Sequence, residues 1–263
     1  MPLVERGGHR IHYESFGDRT KPPVLLIMGL ALSSRAWDRL PALLTGDFHV
    51  LVFDNRGTGR SGRKGFAYRM RDLADDAVAV LDAAGHEAAH VFGISMGGMV
   101  AQELAIRHPG RVRSLALGCT FASWRGRTAP SIGTKLDLLL LNLGFVTPAR
   151  ISRVLVSAEW HGAHPDSALL WMRRAERTAL RYATAQVLAI ARHDALPRLD
   201  RIRAPTLVLT GSADKLVPPA NSAVLARSIP GARLLVIPNA GHVFPLEREG
   251  ETVAALRDHF LAH

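Results

Sequence analysis

A serine with glycine two residues to either side, Gly93-Ile94-Ser95-Met96-Gly97, is followed at once by Gly98. It stands where an apolar run (AHVFGI) gives way to a helical pattern (MGGMVAQELAIRH). A sharp strand-to-helix turn pushes such a serine hydroxyl into the open and leaves no room for side chains two residues away. The helix start that follows offers unpaired N–H groups and a positive dipole end to a developing oxyanion. A serine that merely caps a helix would share this pattern, so its partners matter. Asp214 lies in Gly211-Ser212-Ala213-Asp214-Lys215-Leu216-Val217-Pro218, just past the run TLVLT, and His242 ends Asn239-Ala240-Gly241-His242, just past RLLVI. Alone, Asp214 reads equally well as a turn residue. The chain order Ser, Asp, His, each member following a strand, is far more specific. A serine hydroxyl is a weak nucleophile until a base takes its proton. An imidazole of pKa near ~6.5 can take it at neutral pH, and a buried carboxylate can fix the tautomer of that imidazole.

Such residues need strands to carry them. Val24–Met28, His49–Phe53, Ala89–Ile94, Val112–Leu117, Thr206–Thr210 and Arg233–Ile237 are short apolar runs of the kind buried in a parallel sheet, and Arg10–Phe16 alternates like a half-exposed strand. Helical patterns over Ser34–Leu44, Met70–Ala84, Met96–His108, Ala220–Ser228 and Glu247–Leu261 separate them. Strand–helix alternation predicts an α/β fold, a mostly parallel central sheet with helices on both faces. The alternation stops between Phe121 and Leu199. Four helical patterns fill that stretch: Ser131–Leu143, Ala149–Glu159, Ser167–Tyr182 and Ala183–His193. The expected organisation is a core of residues 1–120 and 200–263, with a helical cap of residues 121–199 inserted after the sixth strand.

With these residues in view, the chain resembles the α/β-hydrolase fold superfamily over nearly its whole length. Asp54-Asn55-Arg56-Gly57-Thr58-Gly59-Arg60-Ser61 looks like the family's D-x-R-G-x-G-x-S turn, which is mostly structural. The resemblance implies that Ser95 is the nucleophile, Asp214 the acid and His242 the base, and that the backbone N–H of Met96 is one oxyanion donor. The second donor in relatives follows a His-Gly pair. Here that place reads Met28-Gly29-Leu30, so the Leu30 N–H is the candidate and the hydrogen bonding of its loop must differ. Met28-Gly29 is similar to bacterial esterases of the aclacinomycin methylesterase type. The G-x-x-D-x-x-x-P and N-A-G-H stretches are similar to enol-lactonases of aromatic catabolism. Relatives that open epoxides or displace halides carry Asp in place of Ser95, and strongly lipid-directed relatives carry a Gly-Gly-Gly loop that this chain lacks.

The implied reaction is hydrolysis of small carboxylic esters or lactones through an acyl-enzyme, with no metal or organic cofactor. Thioesters, carbon–carbon bond hydrolysis, cofactor-free rearrangement or cyclisation, and a hormone-receptor-like binding role on the same fold stay open. Phe121 and Trp124, just past a strand end, are the expected pocket residues. Of 263 residues, 33 are Lys or Arg and 23 Asp or Glu, a net charge of +10, but the basic residues are dispersed and argue against nucleic acid. Residues 120–200 carry 11 cations against six anions, which leaves an acidic substrate or carrier open. No apolar run approaches the ~18 residues of a membrane span. The single cysteine, Cys119, is expected to be buried and inert and excludes an internal disulfide. No apolar leader is evident at the N-terminus, and the expected location is cytoplasmic. His193 and Asp194 read as surface residues.

Overall fold

Uninterrupted apolar runs such as PVLLI and HVLVF can be buried on both faces only inside a sheet covered by helices. The computed structural model, which describes residues 2–62, 65, 67–142, 147–176 and 178–263, has such a sheet. Its strands are β1 (Leu3–Arg6), β2 (His9–Phe16), β3 (Pro23–Ile27), β4 (His49–Phe53), β5 (Ala89–Ile94), β6 (Val112–Gly118), β7 (Thr206–Gly211) and β8 (Arg233–Ile237). Their spatial order is β1-β2-β4-β3-β5-β6-β7-β8. β2 pairs antiparallel with β1 and β4, and every other pairing is parallel. The helices are α1 (Leu40–Leu44), α2 (Met70–Ala84), α3 (Met96–Arg107), α4 (Ile132–Asn142), α5 (Pro148–Leu155), α6 (Ala158–Ala163), α7 (Ser167–Arg174), α8 (Leu180–Ala191), α9 (Ala220–Ser228), α10 (Phe244–Glu247) and α11 (Glu249–Leu261).

Alternate residues of each strand face opposite sides, and the core divides accordingly. Leu25, Ile27, Leu51, Phe53, Val91 and Leu115 pack with Leu73, Val80, Val100 and Leu104 of α2 and α3. Val24, Leu26, Val50, Val52, Phe92 and Leu207 pack with Leu40, Leu44, Leu256 and Phe260 of α1 and α11. The parallel strands end nearly level, with Ile27 beside Gly93, Ile94 beside Gly118 and Gly211 beside Ile237. The loops that follow them therefore share one rim, where ligands of open parallel sheets bind.

Helices α4 to α8 lie in the chain between β6 and β7. The segments that enter and leave this stretch pair with each other. Ser123 bridges Asp194, Trp124 N–H donates to the His193 carbonyl at 3.1 Å, and Ala195 N–H donates to that of Ala122 at 2.8 Å. His193 is thus no surface residue: it is 4% exposed, packed against Gln102 and Glu103 of α3.

Other expectations need correction. β1 is an additional strand of four residues, none of them buried. Ser34–Leu44 is no single helix. A 3-10 turn over Ser34–Trp37 stops at Asp38, whose φ of 51° breaks the helical path before α1. Ala149–Glu159 divides into α5 and α6 because Ser157 is extended and caps α6, its hydroxyl accepting the Trp160 N–H at 3.1 Å. Ser167–Tyr182 ends at Arg174, and α8 starts at Leu180. Glu247–Leu261 is interrupted at Arg248. Leu143 lies outside the described residues. β8 is an edge strand, with Leu234, Leu235 and Val236 exposed, although its run reads like that of a central strand. Among the described residues no helix is long and apolar enough to cross a membrane.

Candidate active site

Ser95 follows β5 directly and precedes α3, with φ 53° and ψ −121°, a strained conformation for a residue with a side chain. Close packing forces it. A Cβ on Gly93 would stand 2.3 Å from the Gly97 carbonyl oxygen, and one on Gly97 would stand 2.0 Å from that of Ile27. Only glycine at both places lets α3 start this near β3 and β5. The Ser95 side chain makes no capping hydrogen bond to α3, so its hydroxyl is not consumed there. The backbone of Ser95 is pinned on both sides, its N–H by the Gly118 carbonyl at 2.9 Å and its carbonyl by the Thr120 hydroxyl at 2.7 Å.

Asp214 and His242 come together at the same rim. His242 Nδ1 bonds Asp214 Oδ2 at 2.9 Å, and both residues are buried. The other carboxylate oxygen accepts the N–H groups of Leu216 at 2.9 Å and Val217 at 2.8 Å, which fixes the plane of the carboxylate. Their loops are joined by a bond from Ala213 N–H to the Ala240 carbonyl at 2.8 Å. Burial opposes a charge on His242. The Asp214 carboxylate, assisted by the Cys119 thiol, overrides it and holds the imidazolium well above the ordinary histidine range. Cys119 is buried as expected, but it is not remote. Its Sγ, a carboxylate oxygen of Asp214 and a ring nitrogen of His242 lie within 4.8 Å of one another. Among the described residues this is the one group with the donors to hold a metal ion. Its carboxylate and Nδ1 are already bonded to each other.

The loop after β3 approaches from the other side. A Cβ on Gly29 would lie 3.3 Å from Ser95 Cβ and 3.9 Å from its Oγ. Met28 turns its side chain into the core, and its carbonyl accepts Asn55 Nδ2 at 3.1 Å. Asn55 thus braces the loop that carries Leu30. The turn after β4 is held in the same way: buried Asp54 accepts the N–H groups of Ser34 at 2.7 Å and Arg60 at 2.9 Å, and Arg56 pairs with Asp76 of α2 at 2.7 Å.

Phe121 and Trp124 lie near each other, their rings tilted at 54° with centroids 6.2 Å apart, and the Arg127 guanidinium stands 3.4 Å from the centroid of the Trp124 ring. Phe121 belongs to the core beside α3, and its carbonyl accepts Gln102 Nε2 at 3.2 Å. Trp37 and Trp171, with Met28, Ile94, Val243 and Leu246, line a narrow cleft. Trp171 is anchored by its Nε1–H donating to the Ala36 carbonyl at 2.8 Å. Sequence reading also overlooked Glu247. Its buried carboxylate accepts the N–H groups of Gly241 at 2.8 Å and Ser157 at 3.0 Å, tying the His242 loop to the start of α6. A glutamate in a helical pattern carries no sequence sign of such a role.

A family model described as the alpha/beta hydrolase fold matches residues 22–249. RutD of Azorhizobium caulinodans, designated a carbamate hydrolase, is 32% identical over 93% of this chain and 92% of its own. The rhodomycin D methylesterase DauP of Streptomyces sp. strain C5 is 32% identical over 94% of this chain and 93% of its own. Among solved structures, the enol-lactonase from Burkholderia xenovorans LB400 superposes with a TM-score of 0.87 at 26% identity, covering 100% of both chains.

Proposed function

The chain belongs to the α/β hydrolase fold family, and from that premise we propose that it is a serine hydrolase of small carboxylic esters or lactones. The observation that carries this reading is the buried His242–Asp214 hydrogen bond at the rim where a strained Ser95 follows β5. Ser95 Oγ attacks the acyl carbon while His242 accepts its proton. The imidazolium is steadied by Asp214. The N–H groups of Met96 and Leu30 receive the oxyanion, in keeping with the approach of Gly29 to Ser95. The tetrahedral intermediate collapses, the alcohol leaves with the proton from His242, and an acyl-enzyme remains. His242 then takes a proton from water as the water oxygen adds to the acyl carbon, and this second intermediate collapses by breaking the bond to Ser95 Oγ, which regains a proton from His242 as the acid leaves.

Residues 121–199 act in this reading as a cap over the rim, with Trp171 against the 34–37 turn and Leu155 against the His242 loop. The narrow cleft lined by Met28, Trp37, Ile94, Trp171 and Val243 would take the acyl group in this reading. A methylesterase and an enol-lactonase among the relatives point to the same substrate class.

Initial rates on p-nitrophenyl acetate, butyrate and octanoate, with Ser95→Ala as control, test the reading. Turnover of the short esters, falling at least ~10³-fold in kcat in the variant, supports it. Wild-type turnover no greater than that of the variant overturns it.

A further inference from the structure

Ala31 lies two residues beyond Gly29 in the loop that meets Ser95. Its φ is 57°, in the left-handed region that an alanine adopts only when its surroundings impose it. Those surroundings come from Glu176, Thr178 and Gln186. The Ala31 N–H donates to Gln186 Oε1 at 2.7 Å, and the Ala31 carbonyl accepts the Thr178 hydroxyl at 3.0 Å. Two residues on, the Ser33 hydroxyl oxygen accepts the Glu176 N–H at 3.1 Å. Gln186 is wholly buried on α8, and its Nε2 donates to the Thr58 hydroxyl at 2.9 Å. Both ends of its amide are therefore occupied, one on the loop after β3 and one on the turn after β4. A side chain of this length held at both ends cannot shift without breaking a buried hydrogen bond.

We infer that Gln186, helped by Thr178, is a positioning residue for the oxyanion hole. The two side chains hold both polar groups of Ala31 and so fix the orientation of the adjoining Leu30 peptide. An oxyanion donor accelerates the reaction to the extent that it is already in place before charge develops. The stretch that covers the rim thereby also aligns the donor, and catalysis depends on its docking. This inference rests on the serine-hydrolase reading, with the Leu30 N–H as donor.

Gln186→Met keeps the volume and removes the acceptor. Gln186→Glu keeps an acceptor for Ala31, and Thr58 can turn its hydroxyl to donate. Thr178→Val removes the second hold at a less buried site. The readouts are kcat and KM on a short p-nitrophenyl ester, the affinity for an alkylboronic acid, whose adduct with Ser95 places an oxygen in the hole, and the melting temperature. Gln186→Met should lose about tenfold or more in kcat with KM within about threefold, and boronate affinity should fall with it. Gln186→Glu should keep more kcat than Gln186→Met at a pH low enough to keep the buried carboxyl protonated, and Thr178→Val should fall in the same direction as Gln186→Met by less. If Gln186→Met does not fold, Thr178→Val carries the test. Variants with wild-type kcat, or with lost kcat but unchanged boronate affinity, overturn the inference alone. A wild-type protein without ester turnover overturns the hydrolase reading and this inference with it.

Discussion

His242 carries the pH dependence of the proposed reaction, because only its neutral ring can take the Ser95 proton. Burial alone would keep the ring neutral, but Asp214 holds the proton on it. The kcat/KM profile should therefore rise with pH through an apparent pKa above 6.5. Asp214→Asn removes the countercharge and leaves the burial. In that variant the rising limb should move to lower pH, and kcat should fall about 10⁴-fold because an amide no longer fixes the productive tautomer. A limb at the same pH in both proteins would show that Asp214 does not act on His242. The three residues were legible in the sequence because each stands alone just past a strand. Their neighbours were not. Cys119 and Glu247 reach the site through folding, Cys119 from the end of β6 and Glu247 from α10.

The strand–turn–helix of β5 and α3 is the element on which the site depends. Its tightness is a steric demand that two glycines meet, and it can be tested without any substrate. Gly97→Ala would put a methyl group 2.0 Å from the Ile27 carbonyl oxygen, on backbone that cannot yield. It should cost about 3 kcal/mol or more, the upper range for overpacking, and lower the melting temperature by several degrees. Gly46→Ala, with nothing within 4 Å of the new carbon, should change stability by less than about 1 kcal/mol. Equal melting temperatures for the two variants would remove the steric account of the turn. The expected strands of the sheet were found where their apolar runs stand. The helices were less legible, because Asp38, Ser157 and Arg248 break runs whose periodicity continues through them.

Across the whole molecule, buried histidines set the acid limit of stability. His90, His193 and His259 are each pushed down to about 4, chiefly by burial, and His12, His49 and His86 shift the same way. In an unfolded chain such rings titrate near ~6.5. Between those values the unfolded state binds protons that the folded state refuses, so stability falls as pH falls. His242 has the opposite sign. Its contribution is complete below the unfolded pKa and is lost as pH rises through its higher folded value. Melting temperature should decline from pH 6.5 toward pH 4, and a flat profile over that range would contradict the assignment. The same burial sets His193 apart from the surface residue that its sequence position predicts. In the sequence it follows a helical pattern like any polar end residue, and only the pairing of 122–124 with 193–195 encloses it.

The sequence by itself determined the α/β alternation, the mostly parallel sheet and the candidate residues Ser95, Asp214 and His242. Apolar runs, glycine spacing and chain order are local properties, and local properties can be read along a line. Tertiary structure alone decided which distant side chains meet. Trp37 and Trp171 line one cleft with Met28 and Ile94, and Phe121 packs beside α3. β8 is an exposed edge, paired only with β7 among the described residues. Gln186 meets Ala31 across 155 positions of chain. Contacts over such separations depend on how helices dock, and docking is settled by packing and buried hydrogen bonds, for which a linear pattern has no counterpart.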